Sequence, residues 1–293
     1  MKNIFNSKIN YFFFLPIPFR IFLTRYIRSL TSRFRTLPDF LLIGAPQCGT
    51  TSLYNYIINH PYIAPSFLKG VQFFDRNFTR NLNKYKAFFP PLFFKRIFKY
   101  IYNIDLITGE GSPDYLYHPY VAKRVFQYLP KIKILILLRN PVDRAYSHYQ
   151  RLVRFGIVNL SFMKAIERAV VIAEKEKKKL KNNPYYNPSK YLRYSILEKG
   201  IYVDQIQNWF KYFPKKQILT IESEQFFFNP SKTMEEVFRF LNVPPLKAEN
   251  YKKYNVGNYS KIDTEIRDYL LEYYKPHNRR LYDLLERRFN WDK

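Results

Sequence analysis

The chain has 293 residues, 47% of them hydrophobic, enough for a sizeable core and too many for a globally disordered polypeptide. Lys and Arg number 49 against 23 Asp and Glu, a formal net charge of +26; such a field draws polyanions or anionic membranes without choosing between them. Cys48 is the only cysteine, which excludes an intrachain disulfide and points to a reducing, cytoplasmic compartment.

Residues 1–38 carry seven Lys or Arg and no acidic residue. The apolar run over 11–23 is interrupted by Pro16, Pro18 and Arg20, and it is shorter than the roughly 20 residues of a membrane span. A basic, aromatic segment of this kind suits an anionic membrane surface or a tail packed on the domain, and both readings stay open. The expected division is therefore an N-terminal segment over 1–37 and one domain over 38–293.

Phe40-Leu41-Leu42-Ile43 is a short apolar run suited to a buried parallel strand. It ends at Gly44, and a loop to Gly49 leads into Thr50-Thr51-Ser52 and a helical pattern carrying Leu53, Ile57 and Ile58. A glycine loop between strand and helix turns several backbone N–H groups toward one point, a seat for a phosphate-like anion. The spacing approaches the nucleotide-triphosphate loop G-x-x-x-x-G-K-[ST], but Thr50 stands where that motif needs lysine, which removes most of the weight from a kinase or ATPase. The plainer reading is a glycine turn with no ligand. Cys48, inside the loop, reads as a packing side chain rather than a nucleophile.

His60-Pro61 closes that helix, and Lys69-Gly70-Val71-Gln72-Phe73-Phe74-Asp75 follows. Residues 85–102 interleave aromatic and basic side chains, which reads either as irregular packing or as a wall for a polyanion. Residues 106–108 form a short strand that turns through Gly109-Glu110-Gly111-Ser112 into a helix begun by Pro113; Glu110 then sits at a strand's C-terminal end, where α/β proteins place ligands. Residues 132–138 are a second clear buried strand. After it, Arg139 sits at the strand exit, Pro141 in the first turn of a helix, and Ser147 two turns along, so one guanidinium and one hydroxyl can converge on a single phosphate.

A helix is expected over 161–181, its lysine-rich tail a solvated face, then one from Tyr202, a last strand over 218–221, a helix from Met234 to Leu241 and closing helices with a mostly core stripe. The four histidines lie apart with no C-x-x-C or H-E-x-x-H companion, so no metal site is expected. The G-x-S-x-G elbow of a hydrolase is missing too. Strands alternating with helices predict an α/β fold: a P-loop-like parallel sheet flanked by helices on both faces, with Gly44 and Arg139 at the ends of neighbouring strands.

The run from Gly44 to Ser52 resembles the 5′-phosphosulfate loop, G-x-x-K-x-G-T-[ST]-[ST]-L, of sulfotransferases that use PAPS (3′-phosphoadenosine 5′-phosphosulfate), the glycosaminoglycan (heparan sulfate) type in particular. The resemblance extends over nearly the whole chain after its tail. It implies that Gly44, Gln47, Cys48, Gly49, Thr50, Thr51 and Ser52 cradle the 5′ side of PAPS and that Arg139 and Ser147 hold its 3′-phosphate. Tyr202 and the turn with Asn255, Gly257 and Asn258 complete the nucleotide site. Two positions depart: Gln47 replaces the family's loop lysine, and Gly70 replaces the glutamate of K-E-x-x-F-F that deprotonates the acceptor. Gln47, Lys69 and Glu110 are then the candidate catalytic residues, with Asp75 a second candidate base. A glycine at 70 also admits a positive φ that glutamate would resist. The implied function is sulfuryl transfer from PAPS to a hydroxyl or amine of a glycan, with no metal and no specific nucleic acid. The alternatives are a non-catalytic relative and a polyanion- or nucleic-acid-binding protein, the latter motivated by charge and interleaved aromatics.

Overall fold

The computed structural model describes residues 26–79, 81–246, 251–252, 254 and 257–291. Five strands form one sheet: β1 (Phe40–Gly44), β2 (Ile63–Pro65), β3 (Ile107–Glu110), β4 (Lys133–Leu138) and β5 (Ile218–Glu222), in the order β2-β3-β1-β4-β5. Every pairing is parallel: Leu41 sits opposite Glu110 and Ile134, and Leu138 opposite Glu222. The apolar runs explain which strands are central. All five residues of β1 and five of the six in β4 are buried, and a fully buried Leu or Ile contributes roughly 2 kcal/mol.

The helices are α1 (residues 26–30), α2 (Thr50–Ile58), α3 (Leu82–Lys86), α4 (Leu92–Tyr102), α5 (Val121–Tyr128), α6 (Pro141–Arg154), α7 (Phe162–Asn182), α8 (Ser189–Tyr194), α9 (Tyr202–Phe210), α10 (Ser223–Phe228), α11 (Pro230–Leu241) and α12 (Thr264–Leu285). Crossovers between parallel strands are right-handed as a rule, so connections that run opposite ways along the sheet place their helices on opposite faces. The connection from β1 to β2 runs one way along the sheet and carries α2, which packs with α11; the later connections run the other way, and α6 and α9 pack with α12. The chain thus leaves β1 and β4 in opposite directions, and a crevice opens between their C-terminal ends.

Three elements differ from the sequence expectations. The edge strand β2 was not foreseen, because three residues ending at Pro65 are too short to show an alternating pattern. Pro113 starts a single 3₁₀ turn, Pro113–Tyr115, rather than a longer helix. Residues 85–102, read as irregular packing or as a wall for a polyanion, contain the eleven-residue helix α4. Its lower side is held by Lys95 on Asp39 at 2.6 Å and by Phe98 against Tyr62. None of its residues is buried.

Candidate functional site

The loop after β1 is shaped by two left-handed residues, Gln47 (φ 69°) and Gly49 (φ 90°). At Gly49 a side chain is excluded twice over: by the φ, and by Phe227, whose ring would lie 2.7 Å from an added Cβ. Gly44 is required by a close approach, since its Cβ would fall 2.6 Å from that of Leu116. No side chain caps α2 at Gly49, so the first-turn amides of α2 remain available to an anion.

Lys69 reaches this seat from a separate segment. Its backbone carbonyl accepts from Gly111 N at 2.7 Å, tying the segment to the end of β3. Its Nζ donates to Thr51 Oγ1 at 2.8 Å and approaches Thr50 Oγ1 at 3.5 Å. Burial chiefly, and the cation of Arg151 second, lower the ammonium pKa to about 8. Arg151 was missed from the sequence; its signal is the four-residue spacing from Ser147, which puts both on one face of α6.

Across the loop, Arg139 Nη1 donates to Gln47 O at 3.3 Å and Ser147 Oγ donates to Gln47 Oε1 at 3.5 Å. The three residues expected at the two phosphates are therefore contiguous, and all are partly exposed. The turn that presents Arg139 is fixed from below. Asn140 accepts from Val142 N as helix cap, and its own N–H donates to Glu224, which also accepts from Trp291 Nε1. On the far side, Tyr254 N donates to Ser52 Oγ at 3.0 Å and Tyr56 OH donates to Lys252 O at 2.9 Å. These bonds bring Lys252 and Tyr254 onto α2. Gly257 and Asn258 are exposed, and Asn255 lies outside the described residues.

Other expected site residues lie beneath the surface. Cys48 is fully buried with its thiol pushed up to about 11, chiefly by that burial. It packs 3.7 Å from the hydroxyl of Tyr202. Tyr202 is itself buried, and its OH donates to Arg139 O at 2.9 Å. Both act under the loop, and Tyr202 holds the backbone of Arg139 in position.

Glu110 is wholly buried. Its two oxygens accept from Val71 N, Ser112 Oγ, Tyr85 OH and Tyr115 OH at 2.6 to 3.0 Å. Burial raises its pKa, and these hydrogen bonds oppose the shift. Rather than facing an acceptor, it fastens the segment after Lys69 to the end of β3. Glu110→Ala leaves four buried donors without an acceptor and is expected to cost about 3 kcal/mol, read as a lower midpoint in urea unfolding. Asp75, 2% exposed, has one oxygen on Arg76 N and is pushed up to about 7 by burial and by Asp114.

A family model described as the sulfotransferase domain matches residues 37–279. The chain belongs to the sulfotransferase family. The membrane-associated sulfotransferase kil1 of Dictyostelium discoideum is 27% identical, over 87% of this chain and 66% of that protein. The human bifunctional heparan sulfate N-deacetylase/N-sulfotransferase 3 is 30% identical, over 89% of this chain and 31% of that protein. This sulfotransferase chain thus spans under a third of the human relative's length. Among solved structures, a sulfotransferase from Alicyclobacillus acidocaldarius superimposes with a TM-score of 0.66 at 28% identity, covering 88% of this chain and all of that one. The parallel sheet and the glycine loop after β1 are therefore the family's fold.

Proposed function

We propose that this sulfotransferase transfers a sulfuryl group from PAPS to a hydroxyl or amine of a carbohydrate. The observation that carries the reading is Lys69: its ammonium lies 2.8 Å from Thr51 in the first turn of α2. It brings to the phosphate seat the positive charge that the loop lacks at Gln47. In this reading the amides of 49–52 and Lys69 receive the 5′-phosphosulfate, while Arg139 and Ser147 receive the 3′-phosphate. An acceptor oxygen or nitrogen bonds to sulfur as the bond from sulfur to the bridging oxygen breaks. The electron pair stays on the 5′-phosphate, where Lys69 and the loop amides meet the developing charge. The acceptor's proton passes to solvent past the exposed Gly70, since Glu110 is occupied and Asp75 is buried. Transfer without a positioned base is slow. A carbohydrate acceptor is supported by the heparan sulfate relatives and by Arg151, whose charge lies near the mouth of the site. By sequence, the basic residues 1–37 suit an anionic membrane surface; those over 1–25 lie outside the described part.

Radiolabelled PAPS offered with desulfated heparan chains, lipid glycosides and simple phenols tests the reading; label is expected in a carbohydrate. Two variants sharpen it. Gln47→Lys is expected to raise kcat several-fold. Gly70→Glu is expected to raise it roughly ten-fold or more by supplying a base. Against the sequence expectation, Gly70 lies outside the left-handed region. A Cβ there would come no nearer than 3.5 Å to Gly111 O, so the glutamate is accommodated. Label in no acceptor, for wild type and both variants, would leave a nucleotide-binding relative without activity.

A further inference from the structure

Helix α4 is amphipathic in the unusual direction. The side held on the domain carries the Lys95–Asp39 ion pair and Phe98, which packs on Tyr62, whereas other large apolar side chains face outward. Phe93, Ile97, Tyr100 and Ile101, at helical spacing, are 53%, 50%, 89% and 60% exposed. An apolar stripe in water has no stabilising role in the fold and marks a surface that something covers. The helix also carries Lys95, Arg96 and Lys99 and no acidic residue.

The neighbouring segment continues the same character. Residues 26–36 are packed on the turn into α4: Arg28 donates to Ala87 O and Phe89 O, Arg35 to Phe89 O, and Thr36 N to Pro90 O. That segment exposes Leu30 and Phe34. By sequence, the chain before it holds Lys2, Lys8, Arg20 and Arg25, an apolar run and no acidic residue. Lys95 and Lys99 are paired with Asp39 and Asp105, but the exposed apolar side chains lie among more cations than carboxylates and match an anionic bilayer surface. There the stripe enters the acyl boundary while Arg96 meets lipid phosphates. A soluble polyanion would use the cations and leave the apolar stripe in water.

We propose that the outer face of α4 docks this protein onto anionic lipid, with α4 lying in the interface plane. The test uses the full chain and vesicles of phosphatidylcholine containing about a third phosphatidylserine. Sedimentation with these vesicles is expected for wild type and is expected to weaken about ten-fold or more in Ile97→Asp/Tyr100→Asp, although residues 1–25 are intact. Both side chains are exposed, so thermal unfolding should stay unchanged. Equal sedimentation of wild type and variant, or none by wild type, overturns the proposal. So does a dimer that dissociates in the variant with vesicle binding unaltered, which would assign the face to a second copy. Loss of heparan binding in the variant without loss of vesicle binding would assign it to a glycan and also overturn it.

Discussion

Lys69→Ala is expected to lower kcat about 10²- to 10³-fold, the usual consequence of removing a donor from a developing anion. Nucleotide affinity should fall far less, because the loop amides, Arg139 and Ser147 remain. The loss should be largest at the transition state, when charge on the leaving phosphate is greatest. A pH profile separates this role from a structural one. The free enzyme's ammonium titrates at about 8, below the ordinary lysine value because burial disfavours the charged form. The active form is the protonated one, so kcat/KM should be highest below that value and fall as pH rises through it. Lys69→Arg, charged throughout, should retain part of the rate and lose the alkaline fall. A profile unchanged between wild type and Lys69→Arg would show that Lys69 is not the group that titrates.

The second large effect is expected at Arg139. Arg139→Ala should weaken a nucleotide bearing a 3′-phosphate about 100-fold, the scale of charge-assisted hydrogen bonds to a phosphate. A nucleotide lacking that group should bind wild type and variant about equally. Calorimetry with the two nucleotides reads this difference directly. If wild type bound both with the same affinity, the 3′-phosphate assignment of Arg139 and Ser147 would fail. Tyr202→Phe offers a graded comparison: it removes only the hydroxyl that fixes Arg139 O, so it should weaken the same discrimination by a smaller factor.

The parts of the fold that were legible in the sequence are those in which local pattern and burial agree. The run 40–43 is apolar throughout, and 132–138 is apolar except for Lys133, because β1 and β4 are covered on both faces. The order of the glycine loop and of Arg139 and Ser147 survives folding because the loop and Arg139 directly follow strand ends and Ser147 lies two turns into the helix after β4. What stayed hidden depended on other segments. The burial of Cys48 under the loop and of Tyr202 behind Arg139 follows from α9 packing there. Glu110 looked available at a strand end, and only the meeting of Val71, Tyr85, Ser112 and Tyr115 around it gives its carboxylate another task. The conformation of Gly70 was likewise invisible. Helix α4 was misread because its apolar stripe faces outward, so the interleaved aromatic and basic residues did not show which side was the core.

The order of the strands has a consequence for how the chain reaches this structure. Leu41 pairs with Ile134 and Phe40 with Gly109, so the most buried strand has no partner close to it in the chain. Each pairing closes a long loop before any contact rewards it, and parallel sheets of this kind form slowly. During that interval the bare apolar runs of β1 and β4 are exposed together in an incompletely folded chain. Refolding from denaturant should therefore be slow, and its yield should fall as protein concentration rises, because those strands can meet another molecule before each other.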